Sequence, residues 1–138
     1  MQYILYAILA LVSYSVVAPL FRLATQELPA DTVAVVTNGM LVGTLLVVIA
    51  VSDKPLGSAF THEHAPYMYA AGVFLTIGII AYYRALAVGP VSVVVPIFGL
   101  FIAVSSALGI AFLDEPLTTR KTVGIGLALA AVYLTAFE

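Results

Sequence analysis

The chain of 138 residues contains no cysteine, which excludes a disulfide, a thiolate metal site and a redox motif. Charge is scarce. Asp, Glu, Lys and Arg together make up 9% of the residues, against about 25% in a soluble domain. A basic excess is missing too. Five Lys and Arg stand against seven Asp and Glu, a net charge of −2, so no basic patch is available for a phosphate backbone and nucleic acid is excluded as a partner. What fills the chain is apolar: 63% is hydrophobic, and the mean hydropathy is +1.15. A monomer this small leaves too much of its surface in water to hide that composition. The class is an all-α integral membrane protein, multi-pass in the cell membrane with lipid as its surroundings, and its length allows one domain over 1–138.

The few charges divide the chain into uncharged runs. Residues 3–21 give 19, 32–52 give 21, 65–83 give 19, 85–113 give 29 and 122–137 give 16. A crossing helix needs roughly 17–25 apolar residues. The 29-residue run is too long for one helix, and Gly89-Pro90 breaks it near its start. The 16-residue run is short, and Thr118 or Thr119 can cap its beginning and add a turn. Five transmembrane helices follow, over about 3–23, 32–52, 65–88, 91–113 and 118–137. A β-barrel would show short alternating segments, and these runs are apolar all round. The first run lacks the positive leader and A-x-A site of a secretory signal, which reads it as a retained helix. An odd number of spans puts the termini on opposite sides. With the N-terminus inside, Lys54, Arg120 and Lys121 lie inside while Arg22 and Arg84 lie outside, a near-even split that barely favours one orientation.

None of the carboxylates (Glu27, Asp31, Asp53, Glu63, Asp114, Glu115 and Glu138) falls in the middle of a span. A proton-coupled exporter commonly keeps a carboxylate inside the membrane, where desolvation raises its pKa and lets drug and proton compete. No such group is available here. Both histidines lie in the second loop. His62-x-His64 beside Glu63 offers too few ligands on too loose a segment, and it reads as a solvated loop with no metal and no cofactor. No nucleophile–base pair is embedded either, so the chain does not read as an enzyme.

The residues left to line a binding site are the polar and helix-breaking ones within the spans. Tyr14 is a phenol mid-way along the first span, where it seeks a partner or water. Ser13 and Ser15 beside it read as bonding back to their own helix. Asn38 carries an amide into the second span and should face another helix or a wet cavity. Gly39 and Gly43 form a small-xxx-small pair suited to close packing. Arg84 follows Tyr82 and Tyr83 and lies five residues before Gly89, about 7 Å from that helix end. There it either snorkels to the headgroups or meets an anion at a cavity mouth. Pro96 removes the hydrogen bond to the Ser92 carbonyl and kinks the fourth span, a common way to line a transport cavity. Ala103, Ala107 and Ala111 share one face beside Ser105 and Gly109, as at a close contact between protomers.

Residues 81–96 read AYYRALAVGPVSVVVP, and after an apolar run come DEPL at 114–117 and GIG at 124–126. This pattern resembles the EamA-type repeat of the drug/metabolite transporter superfamily. Ala85-Leu86, Gly89-Pro90, Pro96, Glu115 and Gly124 are the matching positions, with Pro19, Arg22 and Ala24 fitting more loosely. The resemblance implies one five-helix repeat, where many family members carry two of opposite orientation. A single odd-numbered repeat cannot supply its own inverted mate, so a second copy inserted upside down has to do so. The near-even charge split permits this. The expectation is an antiparallel homodimer with a cavity near the midplane. It exports or exchanges a small metabolite by alternating access, without ion coupling. Tyr14, Asn38, Tyr82 and Ser105 offer hydrogen bonds and aromatic faces, Pro96 shapes the wall, and Arg84 orients a carboxylate. Glu115 caps or pairs with Arg120 or Lys121 across its turn. Two other readings compete: flipping of a lipid-linked sugar, and a non-transporting subunit embedded beside a partner.

Overall fold

The computed structural model describes residues 2–52, 56–113 and 115–136. Asp53, Asp114 and Glu138, which bound runs above, lie outside the described residues, as does Lys54 of the orientation argument. Among the described residues the chain is helical with no strand: α1 Gln2–Ser15, α2 Val17–Ala24, α3 Ala30–Val51, α4 Leu56–Ala59, α5 Ala65–Val88, α6 Val91–Gly99, α7 Phe101–Phe112 and α8 Thr119–Ala136. Among the described residues four stretches are long and apolar enough to cross a membrane: Gln2–Ala24, Ala30–Val51, Ala65–Val88 and Val91–Phe112. The last helix, α8, has 18 described residues and opens with Arg120 and Lys121, which keep it below that standard.

Two of the spans are interrupted. The first breaks at Val16, between α1 and α2. Pro19 supplies the reason, because it has no N–H to give the carbonyl of Ser15, and the helical ladder restarts with Leu20 bonding Val16 at 3.2 Å. Ser15 turns its hydroxyl back to the Leu11 carbonyl at 2.7 Å. The fourth span breaks at Leu100, between α6 and α7. The sequence places the disturbance at Pro96, but α6 continues through Pro96 to Gly99. The ladder tightens one turn later, where Leu100 N–H reaches Ile97 at 3.2 Å. At the start of α8, Thr118 is the cap: its Oγ1 accepts the N–H of Lys121 at 3.3 Å, which satisfies one of the four donors a helix start leaves open.

The chain packs as two units, Met1–Ala87 and Val88–Glu138. In the first, the buried side chains are Ala18 and Phe21 of α2, Val33 of α3, and Ala65, Tyr83 and Leu86 of α5. Leu86 is fully enclosed. Four of these six, Phe21, Val33, Tyr83 and Leu86, lie toward the end of α2, the start of α3 and the end of α5, so the packing is concentrated at one end of the unit. In the second unit Ala103 is the buried residue among those described. Most apolar side chains elsewhere are exposed, including Leu5, Val35, Leu75 and Phe112, as lipid-facing helices require. Lipid is as apolar as leucine, so helix association here gains little from hydrophobic burial. It depends on specific contacts.

Candidate functional site

The end of α5 is where those contacts gather. A helix leaves its last four carbonyls without intrahelical donors. In α5 the shortage is built in, because the residue that would serve the Leu86 carbonyl is Pro90, which has no N–H. Arg22, half-buried in the last turn of α2, fills the gap. Its guanidinium donates to the Leu86 carbonyl at 3.2 Å and also to the Ala87 carbonyl. A cation at a helix C-terminus is favoured by the helix dipole as well. Beside this contact the rings of Phe21 and Tyr83 stack, with centroids 4.1 Å apart and planes 15° from parallel. Consecutive residues of α2 thus grip α5, one by its side chain and one by its backbone.

The third helix joins the same end. Asp31, in the first turn of α3, accepts from Arg84 Nε and Nη2 at 3.4 Å. This contact differs in kind from that of Arg22. The two side chains are 65% and 71% exposed and their hydrogen bonds are long, so the pair is loose and open to exchange. A carboxylate at a helix start is itself favoured by the dipole.

Of the residues singled out from sequence, Tyr82 and Arg84 belong to this cluster. Tyr82 is half-buried, with its ring 6.0 Å from that of Tyr83. Arg84 neither simply snorkels nor stands free, since its partner is Asp31. Asn38 lies seven residues along α3 from Asp31, about 10 Å further in. Its Nδ2 donates to the Ala34 carbonyl of its own helix at 2.8 Å, which leaves its oxygen and second N–H for another partner. Tyr14 is on α1, before the break at Val16, and is 68% exposed. Pro96, on α6, and Ser105, on α7, belong to the second unit, the first half-buried and the second exposed.

Sequence reasoning missed the role of Arg22. Its signal was present in the pairing of a near-terminal arginine with a Gly-Pro that starves the end of another helix of donors. Among the described residues no group of three His, Cys, Asp or Glu is placed to hold a metal ion. His62 and His64 have ring centroids 5.4 Å apart, and His64 lies 3.6 Å from Glu63, all exposed.

In the second unit, Glu115 pairs with Lys121 at 3.2 Å, one of the two pairings the sequence offers it. The carboxylate lies over Gly109, where an added Cβ would be 3.5 Å from its Cδ. Below this pair a cleft of about 250 Å³ opens between α7 and α8.

Compared with known proteins, residues 1–137 match the model of the EamA-like transporter family. No curated protein and no solved structure matches the chain.

Proposed function

Since the chain belongs to the EamA-like transporter family, we propose that it moves a small metabolite across the cell membrane by alternating access, as one half of an antiparallel homodimer. In this reading α8 is a fifth span, its basic first turn held at the headgroups. The whole chain is then a single domain that needs an inverted mate to close a path.

The observation that carries the reading is the contrast between the two contacts at the end of the first unit. Arg22 holds α2 to α5 through backbone carbonyls, a grip with little freedom. The Asp31–Arg84 pair holds α3 to α5 loosely and in the open. A substrate carboxylate reaching Arg84 replaces Asp31 with an equivalent acceptor and frees α3 from α5. Binding is thereby coupled to the opening of one end, which is what alternating access requires of a ligand: a different affinity for the two states. Tyr14, Asn38 and Tyr82 supply polar and aromatic wall from this unit.

Coupling to protons has no support among these groups. No carboxylate falls in the middle of a span, where a proton-coupled exporter commonly keeps one, and Asp31 of the cluster is exposed. The test is flux in proteoliposomes loaded with mixed small carboxylates. Transport down the substrate gradient without a pH difference is expected, with Arg84→Gln losing carboxylate substrates at least tenfold while neutral solutes are affected less. Flux that appears only under a pH gradient overturns the uncoupled mechanism.

A further inference from the structure

The cleft of the second unit has the plan of a lipid site. At its mouth lie Glu115 and Lys121, 3.2 Å apart and about half exposed. Beneath them its walls are aliphatic: Ile102 and Ile110 on α7, Ile125 and Ala128 on α8. The spacings keep these residues on one face of each helix, at i, i+4 and i+8 through Ser106 on α7 and at i, i+3, i+4 and i+7 from Lys121 on α8. Lys121 to Ala128 covers about 10 Å of helix, and Ile110 to Ile102 about 12 Å. The cleft therefore descends from the headgroup level through roughly a third of a hydrocarbon core of about 30 Å. Its floor is open where α8 carries Gly124, because a Cβ there would meet nothing within 4 Å.

Charge at the interface with an aliphatic slot running inward matches an amphiphile standing in the membrane. A water-soluble ligand would leave the slot unused. The mouth also specifies the headgroup. It carries one anion and one cation side by side, which complements a headgroup with one of each. Lys121 spends one of its three N–H donors on Glu115 and keeps the others for a phosphate. The carboxylate of Glu115, an acceptor only, has capacity left for an ammonium that can donate. A choline headgroup has no N–H to give, and a glycerol headgroup has no cation.

We propose that the α7–α8 cleft binds an aminophospholipid of the phosphatidylethanolamine class, with its phosphate on Lys121, its ammonium on Glu115 and an acyl chain along the isoleucines toward Ala128. The site rests on α8 lying in the membrane as the fifth span of the reading above, and holds whether or not the transport mechanism does.

Native mass spectrometry of the purified full chain tests it, with phosphatidylethanolamine, phosphatidylcholine and phosphatidylglycerol of identical acyl chains added at equal concentration. Retention of phosphatidylethanolamine about tenfold above phosphatidylcholine is expected, equivalent to about 1.4 kcal/mol. Glu115→Gln should bring phosphatidylethanolamine down to the phosphatidylcholine level. Lys121→Gln should weaken all three lipids. Gly124→Leu, which fills the slot, should abolish retention with helicity unchanged by circular dichroism. If that variant does not fold, the exposed Glu115→Gln substitution still decides the outcome. Equal retention of the three lipids, a preference for phosphatidylglycerol, or Glu115→Gln with its preference intact overturns the site. So does a Gly124→Leu protein that loses self-association while keeping its lipid, since a second copy would then be the occupant.

Discussion

Arg22 and the Glu115–Lys121 pair both sit where helices end, and they are satisfied in opposite ways. Arg22 is half-buried and bonds main-chain carbonyls of another helix, Leu86 and Ala87. Lys121 is partly exposed and bonds a carboxylate six residues away. The first contact ties two helices distant in sequence and repairs a defect that Pro90 creates. The second spans a single turn that Thr118 already caps. A backbone acceptor cannot swing away or be replaced by a solute, whereas a side-chain carboxylate can. In the first unit the rigid contact belongs to architecture, and in the second the exchangeable pair is available for a ligand.

Removing Arg22 should therefore cost most. Arg22→Ala leaves the Leu86 carbonyl without a donor in a poorly hydrated place, and we expect a loss of about 2 kcal/mol, in the range for hydrogen bonds to charged groups, measured by unfolding in mixed micelles. Arg22→Lys should recover less than half of it, because one ammonium does not reproduce the guanidinium fork. A loss no greater than that of Glu115→Gln would erase the contrast.

The stack beside it comes next. A double-mutant cycle on Phe21→Leu and Tyr83→Leu should return a coupling of about 1 kcal/mol, as aromatic pairs do beyond the area they bury. Additivity of the two substitutions would mean that Arg22 alone holds α2 to α5.

The two exposed ion pairs should register least in stability. Asp31→Asn and Glu115→Gln are each expected to cost less than about 1 kcal/mol, a cost that falls further with added salt. Their effects belong in function: Asp31→Asn should raise the rate of opening, read as faster substrate exchange in proteoliposomes with the fold unchanged. A large stability loss from Asp31→Asn would make that pair architectural as well.

Much of the architecture was legible because lipid imposes one rule: a chain that crosses it must be helical and uncharged. The spacing of charges, with the break at Gly89-Pro90, therefore gives four of the spans. What escaped was the interior of the spans. The break at Val16 follows from Pro19, a residue whose effect falls four positions upstream, and the break at Leu100 lies a turn beyond Pro96, where a proline rule does not place it. Of the candidate site, Tyr82 and Arg84 were visible as polar groups near a helix end. Asp31 and Arg22 were not, since a charge at a span boundary has an adequate reason to be there in the headgroups. Only tertiary contact separates Arg84, held by Asp31, from an arginine that merely snorkels. Glu115 and Gly124 were noticed for their resemblance to a family pattern, and their shared cleft appears only when α7 is laid against α8.

The inverted pairing is the claim on which the permeation path depends, and a chain without cysteine makes it directly measurable. A single cysteine placed by Gln26→Cys, in the turn between α2 and α3, reports one side of the membrane for each copy. Labelling of intact cells with an impermeant maleimide, before and after permeabilisation, should divide the copies about equally between the two sides. If every copy is labelled from the same side, the path has no inverted half and the proposed mechanism is contradicted.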